Sequence, residues 1–331
     1  MLRAPMRSRQ AAVVLIALGT AGFIACGSRT GLLYDEALEP AADDAGKKPD
    51  VREPNEADAE DEDALPPLDA MRRDANRMDC LDAGDTQIYL ITETTNELLA
   101  FYPPQGTFKR IGVIACPTEP PPPPAMGNAT PFSMAVDRKG LAYILFNDLH
   151  IYRVSTATAA CVATPFRVNQ LGFSTFGMGF STNMAGPSET LFVAADNASG
   201  GNSRLGSIDT TSFNLSSVGP FIPTVNRAEL TGTGDGRLFA YYTKTTGQTV
   251  SFVGEIEKNT AQVIAADQLD VDQGNGYAFA FWGGDFYLFT GQGGAAGSVV
   301  TRFRPADKST TVVGSYPALI VGAGVSTCAP Q

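Results

Sequence analysis

The stretch Phe176-Gly177-Met178-Gly179-Phe180-Ser181 returns in four altered copies along the chain, and this repeat limits the possible folds more than any other feature. The copies are Phe132-Ser133-Met134-Ala135-Val136-Asp137, Leu230-Thr231-Gly232-Thr233-Gly234-Asp235, Tyr277-Ala278-Phe279-Ala280-Phe281-Trp282 and Ile320-Val321-Gly322-Ala323-Gly324-Val325. They recur roughly every 44 to 54 residues, near the period at which four-stranded units build propellers. Each copy alternates small with apolar residues. An innermost strand needs this, because neighbouring blades converge on an axis and bulky side chains on both faces would collide.

Around these copies, short β-rich runs alternate with Gly, Asn, Asp and Pro turns, with no amphipathic helical stretch between them. The clearest unit runs from Phe132 to Thr164. It has strands over Phe132–Val136, Ala142–Phe146, Leu149–Val154 and Ala160–Thr164, with turns at Arg138-Lys139-Gly140 and Asn147-Asp148. Three further units repeat the plan, with hairpin signals at Asp235-Gly236 and Gly283-Gly284-Asp285. Two pieces are left over. The segment from Gln87 to Ala115 lacks an inner strand, and Leu319–Val325 is an inner strand without a blade. Joined, they complete a fifth blade built from both chain ends, which closes the ring. The expected fold is therefore all-β, a five-bladed β-propeller of four-stranded blades over residues 86–331.

What precedes the propeller differs in kind. Arg3, Arg7 and Arg9 head an apolar run from Ala11 to Ile24, too short to span a bilayer and suited to an export signal over residues 1–25. The run ends at Phe23-Ile24-Ala25-Cys26, which resembles the lipobox of bacterial lipoproteins. That resemblance implies cleavage before Cys26, acylation of its thiol and a lipid bilayer as partner. Several acyl chains on one residue would make the anchor stable. Gly27 and Ser28 follow the cysteine where an aspartate would imply retention at the inner membrane, so the same resemblance implies the outer membrane.

From residue 26 to 85 the chain is a polar tether. Between Asp35 and Asp85 it carries 18 acidic and 6 basic residues, while the whole chain has a net charge of −11. Such a composition cannot bury enough apolar surface to offset the entropy of ordering. The remainder is close to neutral and offers no basic face, which argues against a nucleic-acid partner.

Beyond Cys26 four cysteines remain, and an exported chain meets oxidising conditions. The expected bonds are Cys80–Cys328, flanking the closing blade at its two chain ends, and Cys116–Cys161, at near-equivalent places of successive blades. No C-x-x-C pair points to a metal.

The quoted inner-strand copies, with Cys26-Gly27-Ser28-Arg29-Thr30-Gly31-Leu32 and Val325-Ser326-Thr327-Cys328, resemble uncharacterised bacterial lipoproteins that carry a C-terminal β-propeller. The resemblance implies a fold and a location, and it brings neither an activity nor site residues.

Residues that carry chemistry are sparse. The single histidine, His150, falls on a blade strand beside Leu149 and Ile151, which gives a Ser-His-Asp triad little to build on. Asp137, Asp235 and Asp285 lie at or just after inner strands, where axial carboxylates would serve a hydrolase of glycans or lactones. Their dipeptides with turn residues equally suit the capping of hairpins. The loops starting at Asp196 and Asp267 have the oxygen-rich composition of calcium ligands and of ordinary surface loops alike. Pro120–Pro124 adopts polyproline II between the first two blades, as a stiff connector or a docking segment. Met134, Met178, Phe281 and Trp282 would lie at or near the axial channel, to pack the blades or to receive a sugar or apolar ligand. No cofactor is implied. The expected role is non-catalytic binding or scaffolding at the cell envelope, toward a protein or glycan partner. The alternative is the hydrolase, and whether the chain is an enzyme stays open at this point.

Overall fold

The computed structural model describes Cys80 and residues 86–183, 187–196, 203–291 and 297–331. The export signal, Cys26 and the acidic tether apart from Cys80 lie outside the described residues.

Within them the chain forms four-stranded antiparallel sheets in fivefold repetition. The first blade contains β1 (Ile88–Thr92), β2 (Glu97–Tyr102) and β3 (Thr107–Val113). The second is β4 (Pro131–Val136), β5 (Leu141–Phe146), β6 (Ile151–Ser155) and β7 (Cys161–Ala163). The third is β8 (Phe176–Thr182), β9 (Glu189–Ala195), β10 (Arg204–Ile208) and β11 (Leu215–Pro220). The fourth is β12 (Asn226–Gly232), β13 (Leu238–Thr243), β14 (Ser251–Glu257) and β15 (Gln262–Leu269). The fifth is β16 (Gly276–Trp282), β17 (Asp285–Gly291), β18 (Ser298–Arg304) and β19 (Ser309–Tyr316). The last strand, β20 (Ile320–Gly324), joins the first blade as its inner strand in the order β20-β1-β2-β3. The leftover pieces of the repeat thus make one closing blade. The sole helical turn among the described residues is a 3₁₀ turn at Gln170–Gly172.

The five repeat copies are the five inner strands. Their neighbours around the axis run β4, β8, β12, β16, β20 and back to β4, so the ring is shut. Contacts also fix their direction. Gly177 lies against Ala228, and Phe180 against Gly232, so numbering rises the same way in both strands. A Cβ on Gly177 would run into the Ala228 carbonyl, and one on Gly232 into the Phe180 carbonyl. This is the physical reason for the small residues in the pattern: the inner strands touch through their backbones.

Apolar side chains fill the spaces between blades rather than one central core. Five clusters occur, each shared by two adjacent blades. That between the fourth and fifth blades is rich in rings, with Phe239, Phe281 and Phe286 in edge and stacked contacts. Full burial of such side chains contributes roughly 1.5–3 kcal/mol each.

Hairpins follow their turn chemistry. Gly283 and Gly284 both have positive φ (63° and 81°) between the paired residues Trp282 and Asp285, the requirement of a type I′ turn. The turn between the third and fourth strands of every blade holds one residue in the left-handed region: Gly106, Ala159, Phe213, Ala261 and Lys308, with φ between 58° and 64°. Only one of the five is glycine, so this repeat in the backbone leaves no mark in the sequence.

Disulfides Cys80–Cys328 and Cys116–Cys161 join Cα atoms 5.4 and 5.1 Å apart. The first binds the segment entering β1 to the tail that follows β20. The second binds the connector after β3 to the start of β7.

Candidate functional site at the axial mouth

All inner strands begin at the same end of the axis. There the ring opens into a cavity of about 270 Å³, lined by Pro131, Phe132, Arg227, Glu229, Tyr277 and Val321 of β4, β12, β16 and β20. Further polar groups come from the residue straight after the second strand of a blade: Glu93, Asn147 and Asp196. Deeper along the axis the space shrinks to about 10 Å³ between Ala135, Met178, Leu230 and Ala323. The mouth is therefore a funnel closed at its floor, and its volume, just under the roughly 300–1,000 Å³ of drug-sized sites, suits a small ligand.

Glu229 lies at the floor and is 3% exposed. Ser133 Oγ donates to its Oε2 (2.8 Å), and the Met178 N–H donates to Ser133 Oγ (3.1 Å). One carboxyl thereby connects the inner strands of three blades. Burial raises its pKa well above the usual carboxylate range, against the hydrogen bonds of Ser133 and Met178, and the negative Asp196 adds to the rise. Burial likewise raises Asp196, opposed only by the charge of Arg227. Asp196 Oδ1 is closed to solvent and has no hydrogen-bond partner among the described residues.

Arg227 places its guanidinium 4.7 Å from the centre of the Tyr277 ring and donates to the Gly274 carbonyl (3.0 Å). Burial, Glu229 and Asp196 all raise the Tyr277 phenol, which stays protonated and able to donate. Asn147 is held by Thr130, taking its N–H on Oδ1 (2.9 Å) and donating from Nδ2 to its hydroxyl (3.2 Å). Chemically the mouth is an acceptor-rich pocket with a phenol and a fixed guanidinium on one wall.

Of the residues singled out in the sequence, Asp196 reaches the mouth and Met178 borders the constriction below it, while the others fall elsewhere. Asp137 Oδ1 accepts the N–H groups of Lys139 and Leu141 (both 2.9 Å), Asp235 accepts from Thr233 and Arg237, and Asp285 pairs with Arg304 (3.0 Å). All three close hairpins at the opposite end of the inner strands, each in its own blade. Met134 and Met178 are fully buried in the clusters on either side of the second blade. Phe281 belongs to the cluster between the fourth and fifth blades and lines a separate cavity of about 320 Å³ there, with Phe239, Phe286 and Phe303. Trp282 packs against the closing blade, its Nε1 donating to the Thr86 carbonyl (2.7 Å). His150 lies in the turn before β6, following Leu149 with φ 71°, and its Nδ1 is 3.1 Å from the Asp148 carbonyl. No group of three metal-ligating side chains occurs among the described residues.

The residues that do build the mouth, Glu93, Asp196, Arg227, Glu229 and Tyr277, carry a signal that needs the strands in register: they sit where an inner strand begins or a second strand ends.

No family model matches the chain, and no curated protein does. Among solved structures it is similar to a chain in the crystal structure of a nidogen/laminin complex, at 12% identity over 74% of this chain and 99% of that chain, with a TM-score of 0.44. It is also similar to TolB from Acinetobacter baumannii, at 11% identity over 76% of this chain and 68% of that one, with a TM-score of 0.43. Neither likeness bears on the ligand of this chain, whose own strands establish a five-bladed propeller.

Proposed function

We propose that this chain is an exported, lipid-anchored binding protein of the cell envelope, whose propeller receives a small polar ligand, such as one sugar unit of a glycan, at the axial mouth. The observation that carries the reading is the closed funnel, where Glu93, Asp196, Arg227, Glu229 and Tyr277 converge from four blades on one cavity of about 270 Å³. Two disulfides support export, since such bonds persist in oxidising compartments. Acylation at Cys26 and an outer-membrane location rest on the lipobox-like Phe23–Cys26 and on Gly27-Ser28.

A second reading is favoured by one feature of the same cavity. Glu229 and Asp196 are two carboxyls with raised pKa, and a hydrolase needs one of its acids protonated near neutrality. In that case Glu229 would donate the proton and Asp196 would activate water, on a glycan or lactone.

The test is a glycan array probed with the full acylated chain in detergent, followed by product analysis of every bound sugar. Binding that survives without cleavage and is lost in Asp196→Asn supports the binding protein. Cleavage abolished by Glu229→Gln makes it a hydrolase. Binding that Asp196→Asn leaves unchanged removes the mouth as the site.

A further inference from the structure

Charge at the mouth is unbalanced. Three carboxylate side chains, Glu93, Asp196 and Glu229, share the cavity with a single cationic one, Arg227. That cation is already engaged by the Tyr277 ring and the Gly274 carbonyl, and no ion pair within 4 Å joins it to Asp196 or Glu229 among the described residues. From the other strands that meet here, β4 contributes Pro131 and Phe132 and β20 contributes Val321, none of which carries charge. The loops add the amides of Asn147 and Asn275. The titratable charge of the mouth therefore rests on these four side chains, in which carboxyls outnumber the cation three to one.

The acceptors are also short of donors. Asp196 Oδ1 is shut off from solvent with no partner among the described residues. A buried carboxylate oxygen in that state is costly, and a donor brought by a ligand would remove the cost. Ammonium groups are donors only, with three N–H bonds to give, whereas a neutral hydroxyl brings one. A bare metal ion fits less well, because no three ligating side chains converge among the described residues.

We infer that the mouth selects a small organic cation, a polar molecule of roughly monosaccharide size bearing a protonated amine, over its neutral counterpart. This rests on the proposed reading of the mouth as the binding site. The ammonium sits against Asp196 and Glu93, and the remaining hydroxyl groups of the ligand face Tyr277 and the asparagine side chains. A cation bound there favours the ionised form of both raised carboxyls, so binding expels protons.

The experiment is titration calorimetry on the full chain in detergent, at a pH that keeps the amine charged, in two buffers of different ionisation heat. Paired probes are glucosamine with glucose, and ethanolamine with ethylene glycol. The expected result is at least about tenfold tighter binding of the amine in at least one pair, the weight of one charge-assisted hydrogen bond. Heats should differ between buffers in the sense of proton release. Asp196→Asn, and Glu93→Gln as the variant at the rim, should weaken the amine more than its neutral partner and so cut that preference by about tenfold. Equal binding of amine and neutral partner overturns the charge inference and leaves the binding site standing. Silence from every probe overturns both.

Discussion

Glu189, the first residue of β9, accepts a hydrogen bond from Thr327 Oγ1 (2.9 Å) on one carboxylate oxygen and from the Arg138 N–H (2.7 Å) on the other. It thereby ties the tail after β20 to the second and third blades. Burial outweighs both donors and pushes its pKa up from 4.5 to about 7, with the charge of Asp137 adding to the rise. Between those two values the folded chain holds a proton that the unfolded chain has released. The stability contributed by Glu189 should fall as pH rises through this window and level off above it. Urea midpoints measured across the window check this, and Glu189→Gln should flatten the dependence. An unchanged slope in that variant would assign it to another group.

Ser133→Ala removes the hydroxyl that donates to Glu229 at the axis. A buried carboxyl left short of a donor costs about 1–3 kcal/mol. The expected outcome is a loss of that order in chemical denaturation, with part of it recovered when Glu229→Gln is added. Full additivity of the two changes would mean that the side chains do not act as a pair.

Gly232→Ala should be far worse than Gly219→Ala. The first places a methyl group on the Phe180 carbonyl, where two inner strands touch, whereas a Cβ on Gly219 meets nothing within 4 Å. Overpacking of this kind costs about 1–3 kcal/mol or more, against about 0.5 kcal/mol or less for a tolerated surface change. Thermal unfolding of the two variants side by side decides the matter.

Replacing both Cys80 and Cys328 by alanine opens a loop with a sequence separation of 248. The chain-entropy model gives an upper figure of about 5 kcal/mol for such a bond. Denaturant titration of the oxidised parent and the double variant should show a large drop. Loss of the Cys116–Cys161 bond, with a separation of 45, should cost less.

The fold could be read from the sequence because the inner strands touch through their backbones. That contact demands small residues at Gly177, Gly179, Gly232, Gly322 and Gly324, and such a demand leaves a repeat in plain view. The closing blade and the Cys80–Cys328 pair follow from where the repeat is incomplete, and the Cys116–Cys161 pair from near-equivalent places in successive blades. The mouth was less legible. In the sequence Asp196 is marked only as a loop oxygen, and Glu93, Arg227 and Glu229 belong to no motif, because the repeat there lies in position along the blade and not in residue type. Asp137, Asp235 and Asp285, which the sequence marks more strongly, lie at the other end of the inner strands, where a carboxylate beside glycine or arginine is a turn device. Ala159, Phe213, Ala261 and Lys308 show the same limit, sharing one backbone conformation with no shared chemistry.

The Cys80–Cys328 bond also has a mechanical consequence. β1 and β20 are antiparallel neighbours, with Tyr89 opposite Gly324, so the beginning of one and the end of the other lie side by side. Tension arriving through the chain before Cys80 would, without the bond, peel β1 away from β20 one hydrogen bond at a time. With the bond, the same pull reaches both strands together, and the seam of the ring carries load as a single sheet.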